Sequence, residues 1–355
     1  MTHRLSLRAL VVAAAAGLGA ANAGAQQITV TSYGGAYGKS LQEAMYKPFS
    51  AKSGVKVLSE DYNGGLAEVR AQVKTGNVKW DVVDVEMAEA LRGCDEGLFE
   101  KVDASKLPPG DDGTAAKADF QPGAVVPCAV GSISYANVIA YDKTRFASGA
   151  PSRLEDFFDL KKFPGKRGMK KEAPVNLEWA LMADGVAPEK VYETLSTPAG
   201  VERAFRKLDT IKSQIVWWSA GAQPAQLLAA GEVSISTVYH GRIYDANTKD
   251  KRNFALVWDG QVIVPNLFAV VKGSKNVAAA MDFVRFATGS KPLADEAAQI
   301  PYAPARKSSM KLIADSVKVW LPGTEHGGRA LQTDAAWWSD HGDEMNQKFA
   351  AWLAR

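Results

Sequence analysis

A glycine-rich segment after the first predicted strand is the part of the chain that comes closest to a cofactor-binding motif. Residues 34–40 read GGAYGKS and precede a predicted helix, as the phosphate-binding loop of a nucleotide-binding protein does. That loop requires a glycine five positions before Gly38, and Tyr33 occupies this position. We therefore expect Gly34 and Gly35 to let backbone N–H groups and the Tyr33 ring approach a ligand at a helix N-terminus.

Motifs for hydrolytic or metal-dependent catalysis are not evident. His240, His326 and His341 lack the HExxH spacing of a zinc enzyme, and the GxSxG sequence of an α/β-hydrolase does not occur. Ser132 and Ser134 lie in an apolar strand pattern without a neighbouring base. We expect neither a cofactor nor a metal, although an exported hydrolase stays open as an alternative.

Two predicted strand ends in the second half of the chain carry side chains suited to binding a small molecule. Trp218 closes one strand, and Gln223 lies in the loop that leads into the next helix, which places an aromatic ring and an amide at a loop mouth. Tyr239 closes another strand and is followed by Arg242, whose guanidinium could bind a carboxylate through two hydrogen bonds. The alternatives are that the tryptophan only packs in the core and that the arginine only contacts solvent.

The hydrophobic pattern supplies a framework for these candidates. In the first hundred residues, strand patterns alternate with helical ones: Ile28–Ser32, Ser40–Ser50, Val55–Tyr62, Leu66–Lys74, Asp81–Val85 and Met87–Glu96. This order predicts a mostly parallel sheet covered on both faces, with ligands at the carboxyl ends of its strands.

A second α/β series follows a long strand pattern, Ala129–Tyr141, which could cross between two lobes. Its strand patterns are Arg167–Lys171, Ile215–Trp218, Val233–Tyr239 and the β-rich stretch Phe254–Val271, with helical patterns between them and an aromatic helical tail.

The N-terminal residues 1–25 have the features of an export signal. Arg4 and Arg8 precede an apolar run that starts at Ala9, and small residues at positions 23–25 fit a cleavage site. Its removal leaves roughly 330 residues, more than one hydrophobic core usually organises. The chain has 42 basic and 39 acidic residues, and this near balance argues against a nucleic-acid partner.

Cys94 and Cys128 are the only cysteines in the sequence. In an oxidising compartment two cysteines most simply form a disulfide, and two buried thiols are the alternative. Neither cysteine lies at the predicted cleavage site, so we expect a freely soluble protein rather than a lipid-anchored one.

Several segments together resemble the periplasmic spermidine/putrescine-binding family of ABC-importer solute receptors, which includes relatives that carry γ-aminobutyrate. In chain order these segments are WDVVDVE (80–86), VGSISYANVIAYDKTRF (130–146), FPGKRGMKK (163–171), WWSAGAQPAQLLAAGEV (217–233), YHGRI (239–243) and KGSKN (272–276). The resemblance implies a two-lobed α/β periplasmic binding protein of type II, each lobe a mostly parallel sheet with flanking helices, and a ligand cleft between the lobes. It assigns residues 26–133 plus 267–303 to the first lobe and residues 134–266 plus 304–355 to the second.

The resemblance also implies ligand-binding residues. Tyr33 matches an aromatic residue that flanks the ligand, Glu86 matches a polar strand-end position, and Glu172 falls near acids that hold an amine. Tyr239 replaces the tryptophan often found in the polyamine receptors, and Arg242 lies where γ-aminobutyrate-like relatives could use a cation.

Asn266 is the departure from the family pattern that bears most on the ligand. Many relatives have an aspartate here that binds an ammonium group, and asparagine lacks its negative charge. Because an unpaired ammonium is costly to desolvate, the sequence favours a small carboxylate or a γ-aminobutyrate-like amino acid. A spermidine/putrescine receptor is the alternative.

The resemblance therefore predicts a monomeric periplasmic receptor that captures one small solute and delivers it to a membrane permease and its ATPase, without catalysing a reaction. We expect its lobes to close by rotation at a hinge near Ser134, Pro265 and Pro304.

Overall fold

The strands form a single mixed sheet in the computed structural model, which describes residues 26–146 and 149–355. The export signal predicted over residues 1–25 lies outside this range. In chain order the strands are β1 Gln27–Ser32, β2 Lys56–Asp61, β3 Val82–Glu86, β4 Val125–Val126, β5 Ala129–Asp142, β6 Arg167–Lys170, β7 Ile215–Trp218, β8 Ile235–Tyr239, β9 Phe254–Val270, β10 Ala303–Pro304 and β11 Ala330–Gln332.

The helices lie on both faces of this sheet. They are α1 Gly35–Leu41, α2 Lys47–Ser53, α3 Ala67–Thr75, α4 Met87–Asp95, α5 Ala116–Asp119, α6 Leu154–Phe158, α7 Asn176–Ala183, α8 Val191–Leu195, α9 Pro198–Asp209, α10 Gln223–Ala230, α11 His240–Lys249, α12 Val277–Ala287, α13 Ser290–Gln299, α14 Lys307–Met310, α15 Asp315–Lys318 and α16 Ala335–Leu353. None of the described helices combines the length and the apolarity that crossing a membrane requires.

The expected α/β fold is confirmed, and the structure adds how its two parallel parts are joined. The main path of the sheet runs β2-β1-β3-β9-β5-β8-β6-β7. β1 pairs in parallel with β2 and β3 at one end, and β6 does so with β7 and β8 at the other. The long strands β5 and β9 lie between them and pair antiparallel with each other. Two long strands therefore connect the parallel parts: β5, whose sequence pattern indicates that it could cross between lobes, and β9.

Separate apolar clusters cover the two ends of the sheet. Around β1 and β3, one cluster includes Phe283 of α12, which packs edge-on against Tyr46 and Phe49. At the other end, the tail helix α16 contributes Trp337 and Trp338 to a cluster formed with α7, α8 and α9. The chain thus returns to its N-terminal part after β9, while its C-terminal helix packs with the later series. The exact division into lobes stays a prediction.

The first helical stretch begins earlier than the sequence indicates. A π-helical turn, Gln42–Tyr46, joins α1 to α2, so the helix predicted over Ser40–Ser50 is part of a longer segment that starts at Gly35. The glycines of residues 34–38 conceal the first turn because glycine has a low helix propensity.

Two local features hold the long strands in place. Cys94 at the end of α4 forms the predicted disulfide with Cys128 just before β5, with Cα atoms 5.6 Å apart. Further along β5, Ser134 pairs with Pro265 of β9 and with Ala303 of β10.

The residues predicted to form the hinge are therefore neighbours. Pro304 pairs with Ile133 on β5, and the β5–β9 pairing is irregular between Gly131 and Ser134. This interruption leaves fewer ladder hydrogen bonds to resist bending. Rotation at this place stays a prediction.

Candidate ligand-binding site

A cavity of about 290 Å³ is lined by residues at the carboxyl ends of β3 and β6, which are separated in the sheet by β9, β5 and β8. It lies at strand ends, as expected for an α/β sheet. Its lining side chains with polar groups are Tyr33, Asn63, Arg70, Glu86, Glu89, Arg92, Tyr135, Asn137, Lys170, Glu172, Thr333, Asp343 and Asn346. Helices α4 and α16 border its mouth.

Lys170 and Glu172 form an ion pair inside this cavity. The Lys170 ammonium lies 2.7 Å from a Glu172 carboxylate oxygen, and the two side chains are 14% and 30% exposed. Burial lowers the pKa of Lys170, but the charges of Glu172 and Glu86 and the nearby Tyr239 outweigh burial and raise it well above its usual value. The lysine is therefore a fixed positive charge among carboxylates.

The end of β3 supplies two of these carboxylates. Glu86 accepts a hydrogen bond of 2.5 Å from the Tyr135 hydroxyl. Glu89, in the first turn of α4, accepts hydrogen bonds from the backbone N–H groups of Gly65 (2.5 Å) and Glu86 (3.2 Å). Burial, and then the charge of Glu86, raise the pKa of Glu89 to about 7. Two carboxyl groups are thus close together at this wall of the cavity, and Glu89 is partly protonated near neutral pH.

An ion pair crosses the mouth of the cavity between α4 and α16. Arg92 donates one hydrogen bond of 2.6 Å to Asp343 and a second to its other carboxylate oxygen. Its Nε also donates to Glu96 at 3.0 Å. This contact joins helices that belong to different lobes in the predicted division.

A second, smaller cavity of about 20 Å³ adjoins the first, and Tyr33 and Tyr135 line both. Its other lining residues are Tyr37, Ile133, Tyr239, Arg242, Asn266 and Tyr302. The aromatic rings form edge-on contacts: Tyr135 and Tyr239 have centroids 5.0 Å apart. These rings form an apolar wall behind the charged cavity.

Asn266 lies in this wall beside a buried carboxyl group. Its amide donates a 3.0 Å hydrogen bond to Asp84, which also accepts one of 2.8 Å from Ser32. Burial raises the pKa of Asp84 to about 7, against the lowering effect of these hydrogen bonds. Within the described part of the chain the side-chain oxygen of Asn266 has no hydrogen-bond partner. The predicted contact of Asn266 with a ligand stays a prediction.

Arg242 connects two parts of the molecule. Its Nη1 donates to the Gly34 carbonyl at 2.8 Å, and its Nη2 donates to the Tyr33 carbonyl at 3.3 Å. The guanidinium lines the smaller cavity and does not line the larger one among the described residues. The two guanidinium nitrogens predicted to bind a ligand carboxylate thus donate to backbone carbonyls. A contact of Arg242 with a ligand stays a prediction.

Four of the predicted contact residues lie outside the linings of both cavities among the described residues: Gly34, Gly35, Trp218 and Gln223. Gly34 and Gly35 have φ angles of 56° and 58°, and a Cβ on Gly35 would lie 2.6 Å from Arg242 Nη1. Trp218 is buried edge-on against Tyr239.

Gln223 is exposed, and its side-chain oxygen accepts hydrogen bonds from the backbone N–H groups of Ser219 and Ala220. Within the described residues, neither cavity is lined by Gly34, Gly35, Trp218 or Gln223. Their predicted ligand contacts stay untested.

Comparison with known proteins identifies the chain. Residues 44–320 match the family model described as "Bacterial extracellular solute-binding protein". The chain belongs to this family. It is 45% identical to the gamma-aminobutyric acid-binding protein of Pseudomonas aeruginosa over 355 residues, which are 99% of this chain and 96% of that protein.

Two solved structures resemble this solute-binding protein over nearly its whole length. A GABA receptor has 35% sequence identity and a TM-score of 0.79, with 93% of this chain and 98% of that chain covered. MotA from A. tumefaciens B6, in complex with glucopine, has 28% identity and a TM-score of 0.85, with 92% and 100% covered. The relatives are solute-binding receptors of ABC transporters, so this protein is a receptor of an ABC importer and the alternative of an exported hydrolase is wrong.

Sequence reasoning missed Lys170, Tyr135, Asn137 and Glu89 in this receptor. Lys170 lies near the end of the predicted strand Arg167–Lys171, so its strand-end position was a usable signal. Asn137 lies within β5, and its Nδ2 is buried without a hydrogen-bond partner among the described residues.

Proposed function

We propose that this receptor binds a small zwitterionic amino acid of the γ-aminobutyrate type, with a carboxylate at one end and an ammonium at the other. The observation that carries the proposal is the charge content of the larger cavity. One largely buried ammonium, from Lys170, lies in the same cavity as the carboxyl groups of Glu172, Glu86 and Glu89. A zwitterion places one charge against each kind of group, whereas a purely anionic solute leaves the excess carboxylates unpaired.

The two ends of the solute would meet different groups. We assign its carboxylate to Lys170 and to the buried donor Asn137 Nδ2, both of which line the larger cavity. We assign its ammonium to Glu86 and Glu89, which line the same cavity and whose oxygens accept charge-assisted hydrogen bonds. Such pairing offsets the cost of removing the solute's charges from water.

The size and walls of the cavity favour a short solute. A volume of about 290 Å³ is at the lower end of the range for small-molecule pockets. Tyr33 and Tyr135 line this cavity and form an aromatic wall against which a short alkyl chain can pack. The proposal also agrees with the ligand named for the 45% identical relative of Pseudomonas aeruginosa.

Binding would close two lobes around the solute. We take these lobes as residues 26–133 plus 267–303 and residues 134–266 plus 304–355, with rotation near Ser134, Pro265 and Pro304. The solute favours the closed form because only that form contacts it from both lobes. In this proposal the receptor is an exported periplasmic monomer, released from its signal of residues 1–25, and it presents the closed form to a membrane permease.

Isothermal titration calorimetry with four matched compounds tests this function. γ-Aminobutyrate has both charges, butyrate lacks the ammonium, butylamine lacks the carboxylate, and putrescine has an ammonium at each end. We expect the three partial analogues to bind at least about a hundredfold more weakly, because each leaves a buried charge of the cavity unpaired. Tight binding of putrescine with no response to γ-aminobutyrate would overturn the proposal.

A further inference from the structure

Lys170 is held in the cavity by contacts on several sides. It ends β6, and its backbone carbonyl accepts a hydrogen bond of 2.7 Å from the Asn176 side chain. Its ammonium lies 2.7 Å from Glu172 and 5.7 Å from the centroid of the Tyr239 ring. These contacts fix the position of the charge, because a side chain that is 14% exposed has little freedom to turn toward solvent.

We propose that Lys170 is the specificity-determining residue that makes this receptor select an amino acid and reject a diamine. The inference rests on the proposed function and concerns the same cavity. Lys170 neutralises one carboxylate that could otherwise bind a second ammonium, and it supplies the positive partner for a carboxylate.

The charges of the cavity explain this selection. With Lys170 paired to Glu172, the remaining negative charge at Glu86 and Glu89 suits one ammonium group. A diamine that enters the same volume of about 290 Å³ must place its second ammonium near Lys170. Two like charges that are both removed from water repel strongly.

Asn266 does not account for this selectivity as well as Lys170 does. Asn266 lines the smaller cavity, whose volume of about 20 Å³ cannot hold a four-carbon solute. Its amide lies 3.0 Å from the carboxyl group of Asp84, so an acidic group is present here even without an aspartate at position 266.

The test compares two neighbouring lysines. Lys170→Gln removes the buried charge, and Lys171→Gln removes the same charge from an exposed neighbour. Calorimetry on the full mature protein measures the dissociation constants of γ-aminobutyrate and putrescine. We expect Lys170→Gln to weaken γ-aminobutyrate at least about tenfold and to strengthen putrescine at least about tenfold, because Glu172 is released to bind an ammonium. Lys171→Gln should leave their ratio unchanged.

The role of Lys170 is overturned if the ratio of the two dissociation constants in Lys170→Gln stays within about threefold of the wild-type ratio. The wild-type protein tests the proposed function separately, because failure of the wild type to bind γ-aminobutyrate would contradict that function. If Lys170→Gln does not fold, as judged by circular dichroism, the double substitution Lys170→Gln and Glu172→Gln carries the test. It removes both charges of the pair, so it should weaken γ-aminobutyrate without strengthening putrescine, and unchanged γ-aminobutyrate affinity overturns the proposal.

Discussion

Replacing Arg242 by methionine tests whether this residue joins the lobes or touches the solute. Its guanidinium donates to the carbonyls of Gly34 and Tyr33 at 2.8 and 3.3 Å. In the proposed division, Arg242 belongs to the second lobe and both carbonyls belong to the first. Methionine keeps much of the apolar bulk and removes both donors, so it separates hydrogen bonding from packing.

The expected loss follows from these two hydrogen bonds. A hydrogen bond from a charged donor contributes about 1.5–3 kcal/mol, and the longer of the two bonds should contribute least. Because the bond of 3.3 Å should add little, we expect the closed form to lose about 1.5–3 kcal/mol relative to the open form, which corresponds to a dissociation constant raised roughly 10- to 150-fold. Because the bonds join protein to protein, every solute that closes the lobes should be weakened by a similar factor.

Calorimetry of wild type and variant with γ-aminobutyrate and with any second solute that the wild type binds measures this factor. Arg252→Met is a matched control, because Arg252 is exposed and lines a surface pocket that Arg242 also lines. A loss confined to solutes with a carboxylate would instead support the direct contact expected from the sequence. No loss beyond threefold in any solute would refute both roles.

Three further predictions concern pH and stability. Burial raises the pKa of Glu178 to about 7, so the contribution of Glu178 to the free energy of unfolding falls as pH rises from about 4.3 through 7. In urea titrations, Glu178→Gln should therefore stabilise the protein by up to about 3 kcal/mol more at pH 8 than at pH 4.5. An equal effect at both pH values contradicts this. The pKa of Glu89 is raised to about 7, and a bound ammonium should lower this pKa. The affinity for γ-aminobutyrate should therefore increase between pH 6 and 8 in the wild type and stay constant in Glu89→Gln. A parallel increase in the variant would exclude Glu89 as the group that causes the pH dependence. Replacing Cys94 and Cys128 by alanine opens a loop with a sequence separation of 34 and should reduce the free energy of unfolding by about 3–4 kcal/mol, with a loss below about 1 kcal/mol speaking against it.

Much of the fold could be predicted from local sequence patterns. The pattern over Ala129–Tyr141 gives β5 almost to the residue, and the run of valines before Glu86 marks β3 as a buried strand. The periodicity of apolar residues indicates which residues are buried and whether a segment is a helix or a strand. It does not indicate which strands become neighbours in the sheet. The insertion of β9 between β3 and β5 therefore became visible only in the structure.

The site was predicted less completely because charges act through partners from distant segments. Tyr33 and Glu86 lie in the larger cavity, as their positions at strand ends suggest, and so does Glu172, which the resemblance places near acids that hold an amine. Lys170 and Glu86 end two strands that are distant in sequence, and the sheet brings both side chains to the same cavity although β9, β5 and β8 lie between their strands. The bonds of Arg242 go to backbone carbonyls, and no side-chain pattern marks such acceptors.

A crystal structure of the receptor with γ-aminobutyrate bound would show which groups hold each end of the solute. We expect the solute to lie in the larger cavity, with its carboxylate about 3 Å from the Lys170 ammonium and its own ammonium hydrogen-bonded to Glu86 or Glu89. A solute bound outside this cavity, or bound there with its carboxylate turned away from Lys170, would contradict this expectation.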